Sequence, residues 1–212
     1  MFKKLDGFTL KLIALLSMTI DHIGVFFYLD SGWRIVGRLA FPIFAFLLTE
    51  GYRHTHNRKK YFLTIALSGV IMQIPLFFMQ EPMFNIFLTL ALGMLALYGI
   101  EFKNYFLVGL ILLSAWIFPF DYGLYGILLI IGSYLLKNRW LLFSIYSLAI
   151  AFLSQNTDHL SVIQLYAIAA LPFIYMYNGQ RGRSWKWFFY IYYPLHIIII
   201  NILATLVMYL KQ

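Results

Sequence analysis

Apolar runs long enough to cross a lipid bilayer recur along this chain, with no polar interval wide enough to fold alone, and that feature removes most architectures from consideration. A hydrocarbon core about 30 Å thick needs about 20 apolar residues in a helix rising 1.5 Å per residue. Backbone amides in hydrocarbon have to be paired within their own segment, so the runs are read as helices. Hydropathy divides the chain into nine of them: Leu10–Leu29, Ile35–Gly51, Tyr61–Met79, Phe84–Ile100, Tyr105–Phe118, Tyr122–Leu136, Trp140–Leu153, Val162–Tyr177 and Trp187–Leu210. The fifth to seventh fall short of the usual span of about 17–25 residues, which leaves a re-entrant or bent hairpin open for them. The expected fold class is all-α: a polytopic membrane helical bundle of about nine transmembrane helices (about 8–10) in one domain over residues 1–212.

Composition agrees. The chain is 62% hydrophobic and 11% charged, outside the range of soluble globular domains. It has no cysteine, which excludes disulfides, thiolate metal sites and a cysteine nucleophile. Met1-Phe-Lys-Lys looks like the start of a signal peptide, but Lys11, Asp21 and His22 interrupt the next apolar run and no small-x-small cleavage site follows, so the run is read as retained. The net charge of +8 is read as topology rather than nucleic-acid binding. With the N-terminus cytoplasmic, inner segments hold Lys3, Lys4, Lys11, Arg53, Arg58, Lys59, Lys60, Lys103, Lys137, Arg139, Arg181, Arg183 and Lys186. Only Arg34, Arg38 and Lys211 fall outside, beside the acids Asp30, Glu81, Asp121 and Asp158.

Two ionisable residues at membrane depth are the first functional candidates. Asp21 and His22 lie inside the first run, where each costs roughly 2.5–3.5 kcal/mol to insert. Adjacent residues on a helix point about 100° apart, so the two cannot face one partner. Arg34 and Arg38, spaced i, i+4, share a helix face; snorkelling to headgroups suits Arg34, whereas Arg38 sits inside the apolar run and needs an anion, with Asp21 the candidate. Pro42 and Pro75 lie within runs and are expected to kink their helices.

Two basic loops fall on the inner side. Glu50-Gly-Tyr-Arg-His-Thr-His-Asn-Arg-Lys-Lys60 offers Arg53, Arg58, Lys59 and Lys60 to a phosphate, with His54 and His56 beside them. Lacking cysteine, these histidines are not read as a metal site, and no metal is expected. Tyr177-Asn-Gly-Gln-Arg-Gly-Arg-Ser-Trp-Lys186 combines turn signals with Arg181 and Arg183, so that glycine amides and guanidiniums can approach one anion. Either loop taken alone can be purely topogenic, but two on one membrane face, both beside intramembrane histidines, favour a polyphosphate ligand. The last run opens Trp187-Phe-Phe-Tyr-Ile-Tyr-Tyr-Pro-Leu-His196. Counted from the cytoplasmic side, His196 is about 13 Å and His22 about 18 Å into their helices, which puts both near the bilayer midplane.

Seven ordered blocks resemble the TraX family: Met18-Thr-Ile-Asp-His-Ile-Gly24; Gly37-Arg-Leu-Ala-Phe-Pro-Ile-Phe-Ala-Phe46; Glu50-Gly51 with His54-Thr55; Asn85-Ile-Phe-Leu-Thr-Leu-Ala-Leu-Gly93; Asp121-Tyr-Gly-Leu-Tyr-Gly126; Tyr177-Asn-Gly-Gln-Arg-Gly182; and Phe189-Tyr-Ile-Tyr-Tyr-Pro-Leu-His196. The resemblance covers nearly the whole chain. It implies an integral-membrane acyltransferase of the bacterial cytoplasmic membrane, taking acetyl from cytoplasmic acetyl-CoA as co-substrate, with F-pilin acetylation as the founding example. On that reading His22 and then His196 rank as general base, with Asp21, Arg38 and Glu50 orienting or balancing charge and Tyr193 donating to the oxyanion. Glu50, Arg53, His54, Arg58, Lys59, Lys60, Tyr177, Asn178, Arg181, Arg183 and Tyr193 form the expected acetyl-CoA contacts. Direct transfer and an acetyl-histidine intermediate both remain open. Expected partners are acetyl-CoA, a peptide or glycan acceptor and membrane lipid, with no nucleic acid; a homodimer is allowed. The competing reading is a proton-coupled carrier or binding subunit, which intramembrane Asp, His and Arg would also suit.

Overall fold

The computed structural model describes residues 4–79, 82–136, 140–154 and 162–210. Lys3, Glu81, Lys137, Arg139, Asp158 and Lys211, which entered the charge count, lie outside the described residues. The described chain is helical: α1 Gly7–Phe26, α2 Ser31–Gly37, α3 Ala40–His54, α4 Arg58–Phe78, α5 Ile86–Glu101, α6 Tyr105–Ile117, α7 Gly123–Leu135, α8 Trp140–Ser154, a 3-10 helix Val162–Ala170, α9 Leu171–Tyr175 and α10 Lys186–Leu210. Among the described residues, four stretches are long and apolar enough to cross a membrane, Gly7–Phe26, Ser31–His54, Arg58–Phe78 and Phe188–Leu210. The other apolar helices have 10–17 residues.

Polar residues bordering the apolar runs start the helices. The side chains of Asp6, Asp30, Asn57, Asn85 and Asn104 each accept a backbone N–H from the first turn that follows. Such caps satisfy amides that a helix start leaves without an internal partner.

Proline explains where the second run departs from a continuous helix. Pro42 has no amide for the Arg38 carbonyl four residues back, and the helix breaks at Arg38 and Leu39 before resuming at Ala40. Pro42 therefore sits in the first turn of α3, where a missing N–H is harmless, instead of kinking a longer helix. Pro75 does remain inside α4. The eighth run is a 3-10 helix up to Ala170 and becomes α-helical with Pro172 at its start.

Two compact units divide the described chain. The first joins Met1–Ile43 to Tyr166–Gln212, with α1 packed on α2 and on α10. The second is Phe44–Leu165, where α5 packs against α4, α6 and α7, and α8 packs on α7. α5 is its buried centre: Thr89, Leu90, Ala91, Gly93, Met94, Ala96 and Leu97 are all enclosed. Asn85, beneath that helix, donates to the Gly69 carbonyl and to Gln73 Oε1, each at 2.8 Å, so a buried amide is satisfied while it clamps α4 to α5.

Candidate active site at a histidine pair

Within the first unit, α1 presents different chemistry on two faces. Ser17, Asp21 and Gly24 follow one another at helical spacing and meet α2, while Lys11, Leu15, Thr19 and His22 line the neighbouring stripe towards α10. On the α2 side, Arg38 Nη2 reaches both Asp21 carboxylate oxygens at 2.8 Å, and Arg34 Nε reaches Oδ1 at 2.8 Å. Arg38 Nε also donates to the Arg34 carbonyl at 3.2 Å. The Arg38 side chain is 8% exposed, Asp21 13% and Arg34 40%, so a buried charge pair carries a second, outlying cation. Close approach is permitted by glycine: a Cβ on Gly37 would overlap the Asp21 side chain. Ser17 donates to the Val36 carbonyl and secures the same seam.

Towards α10, His22 Nδ1 lies 2.8 Å from His196 Nε2, with ring centroids 4.9 Å apart. His196 Nδ1 lies 2.9 Å from the Tyr192 carbonyl one turn earlier. The Tyr192 ring stacks on His196 at 5.1 Å and 11°, and its hydroxyl lies 2.9 Å from Thr19 Oγ1. Thr19 donates its single proton to the Leu15 carbonyl at 2.8 Å, so it accepts from Tyr192. Tyr193 meets His196 edge-on at 5.6 Å and is buried.

The chain around Tyr177 joins the start of α1. The Leu5 amide donates to the Met176 carbonyl at 3.0 Å, the Asn178 amide to Leu5 at 2.8 Å, and the Gly7 amide to Gln180 at 2.8 Å. The turn needs left-handed backbone at Gly179 and Gly182, with φ of +82° and +68°. Gly182 passes so near the Asp6 carboxylate that a Cβ would overlap it. Arg181 and Arg183 are exposed there, with Arg181 donating to Ser184 Oγ at 3.1 Å. Lys11 extends over the Phe189 ring, its Nζ 5.5 Å from the centroid. Eleven residues separate Lys11 from His22, three turns of one face and about 16 Å.

The remaining expected residues lie in the second unit. Arg58 forks onto Glu101 at 2.8 and 2.7 Å and lies 4.7 Å over the Tyr52 ring. Tyr52 donates to the same carboxylate at 2.7 Å. Arg53 covers the Tyr134 ring at 4.4 Å and donates to the Tyr134 carbonyl. His54 Nδ1 bonds the Glu50 carbonyl at 2.8 Å, Glu50 is buried, and Lys59 and Lys60 are exposed. Two of the cations expected to hold phosphate are thus already engaged with protein groups.

Thr19, Tyr192, Lys11 and Glu101 were absent from the expected site. The signal was present for the first three: Thr19 stands one turn from His22, Tyr192 one turn from His196, and Lys11 three turns from His22. Glu101 carried no signal, being a lone acid at the end of an apolar run.

The family model described as TraX protein matches residues 6–204. The chain belongs to the TraX family. A probable fimbrial assembly protein, FimC of serogroup H1, from Dichelobacter nodosus is 28% identical over 92% of this chain and 94% of its own length. Protein TraX of Escherichia coli is 25% identical over 92% of this chain and 86% of its own. An uncharacterized protein of Rickettsia prowazekii shares 38% over 45% of this chain and 37% of its own. No solved structure matches. The histidine pair and the Asp21 cluster of this TraX chain both lie inside the matched region.

Proposed function

We propose that this TraX chain is an integral-membrane acyltransferase of the bacterial cytoplasmic membrane, moving acetyl from cytoplasmic acetyl-CoA to an amine or hydroxyl of a peptide or glycan. The observation that carries the reading is the hydrogen-bonded His22–His196 pair three turns beyond Lys11 on one face of α1. In this reading nine crossings leave the N-terminus cytoplasmic, so that Lys4, Lys11, Arg181 and Arg183 face the cell interior.

Lys11, Arg181 and Arg183 supply cations for the donor's phosphates, and the glycines of the turn let backbone amides approach them. The separation of about 16 Å from Lys11 to His22 is one that an extended phosphopantetheine arm spans. One histidine of the pair takes the acceptor's proton as its nitrogen or oxygen bonds the acetyl carbon. The C–S bond breaks with its electron pair on sulfur, and the imidazolium returns the proton to the thiolate. Positioned base catalysis of this kind contributes roughly 10²–10⁴-fold. The Asp21 carboxylate is held by two guanidiniums on the other face, which keeps it from pairing with the imidazole. The fimbrial assembly name of the Dichelobacter relative supports a surface peptide as acceptor.

Calorimetric binding of acetyl-CoA to detergent-purified protein tests this. Lys11→Ala with Arg181→Ala is expected to weaken binding about a hundredfold or more, since each charge-assisted contact contributes about 1.5–3 kcal/mol. His22→Asn should bind normally and fail to transfer. Folded wild type that shows no binding at millimolar acetyl-CoA removes the donor assignment and favours a carrier.

A further inference from the structure

We infer that His22 and His196 form a tautomer-locked pair in which Nε2 of His22 is the proton-accepting nitrogen and His196 is a positioning residue. The acyltransferase reading supplies only the use of that nitrogen; the protonation pattern follows from hydrogen bonds alone. A carbonyl oxygen accepts and never donates, so His196 Nδ1, at 2.9 Å from the Tyr192 carbonyl, carries a proton. In a neutral ring the other nitrogen, Nε2, then has a lone pair and accepts. His22 Nδ1 lies 2.8 Å from that Nε2 and has to be the donor. The lone pair of neutral His22 is left on Nε2. A histidine free in water favours the opposite tautomer, with its proton on Nε2.

The acceptor ring is itself held. Tyr192 stacks flat against His196, and its hydroxyl is tied through Thr19 to the Leu15 carbonyl of α1. When Nε2 of His22 takes a proton from the attacking amine or hydroxyl, the bond from Nδ1–H to His196 stays in place. No donor or acceptor along the chain has to turn, and His196 helps to carry the new positive charge. His22 thus touches the reacting atoms, whereas His196 acts through it.

Nitrogen-15 spectra of the full chain in detergent, labelled at histidine, read the tautomer without any acetyl donor, and His22→Asn assigns the His22 signals by difference. The expected spectrum has His22 protonated on Nδ1 and bare at Nε2. His196→Ala should move the His22 proton to Nε2 and lower transfer by about 10²–10⁴-fold. His196→Gln, which keeps an acceptor oxygen, should retain more of the Nδ1–H form and more activity. Wild-type His22 protonated at Nε2 overturns the inference, and this spectrum decides even where His196→Ala does not fold. A folded His196→Ala protein whose His22 stays protonated on Nδ1 overturns the positioning role. A protein that neither binds nor transfers acetyl, yet shows His22 with Nδ1–H, sinks the transferase reading and supports the lock.

Discussion

Consecutive residues on a helix cannot share a partner, and Asp21 with His22 turns that restriction into two separate pieces of chemistry. The carboxylate turns to Arg34 and Arg38, and the imidazole to His196. Asp21→Asn would leave Arg38, 8% exposed, without an anion, and removing one member of a buried pair costs about 3–5 kcal/mol. Arg34→Ala, at a side chain 40% exposed, should cost only about 0–1 kcal/mol. Chemical unfolding in detergent measures both, and equal losses would contradict the burial argument. The sequence identified Asp21 as the partner of Arg38, because an interior guanidinium needs an anion and this one stood in the neighbouring run. The second guanidinium was not legible, since an arginine at the end of a run can equally snorkel.

At the scale of elements, boundaries are set by local chemistry that can be read along the chain. Asp and Asn cap helix starts, and proline interrupts where its missing amide falls. Asp6 gives a pH-dependent case. The Thr9 amide donates to its carboxylate at 2.7 Å and, helped by the Thr9 hydroxyl, holds its pKa below the ordinary 3.8. A depressed folded pKa gives stability that is complete well above 3.8 and is lost as pH falls through the lower folded value. Asp6→Ala is therefore expected to cost about 1 kcal/mol near neutral pH, with the gap from wild type closing below about pH 3.8. Thermal unfolding from pH 3 to 6 checks this, and a constant gap would assign the loss to packing against Gly182. Pro42 illustrates the limit of such reading. Its place inside an apolar run predicted a kink, but the structure breaks the run at Arg38 and Leu39 instead, where Arg38 holds Asp21.

For the whole molecule, the distribution of lysine and arginine predicts which loops face the cytoplasm, and the absence of cysteine makes that easy to test. Ser31→Cys is expected to react with an impermeant maleimide in intact cells, whereas His56→Cys and Ser184→Cys should react only after the membrane is opened. All three positions are exposed. Labelling of Ser31→Cys and Ser184→Cys from the same side would overturn the orientation. By itself the sequence determined the helical class, the extent of most helices and the family, because run length, capping residues and prolines act within a few residues of themselves. It also predicts both histidines near the bilayer midplane. Only the tertiary structure decided that His22 meets His196 across 174 positions, that Tyr192 and Thr19 hold that ring, and that Arg58 is engaged by Glu101. Helices apolar on almost every side carry no stripe to say which face turns to which neighbour, so that choice rests with packing and with the few polar groups that must find one another.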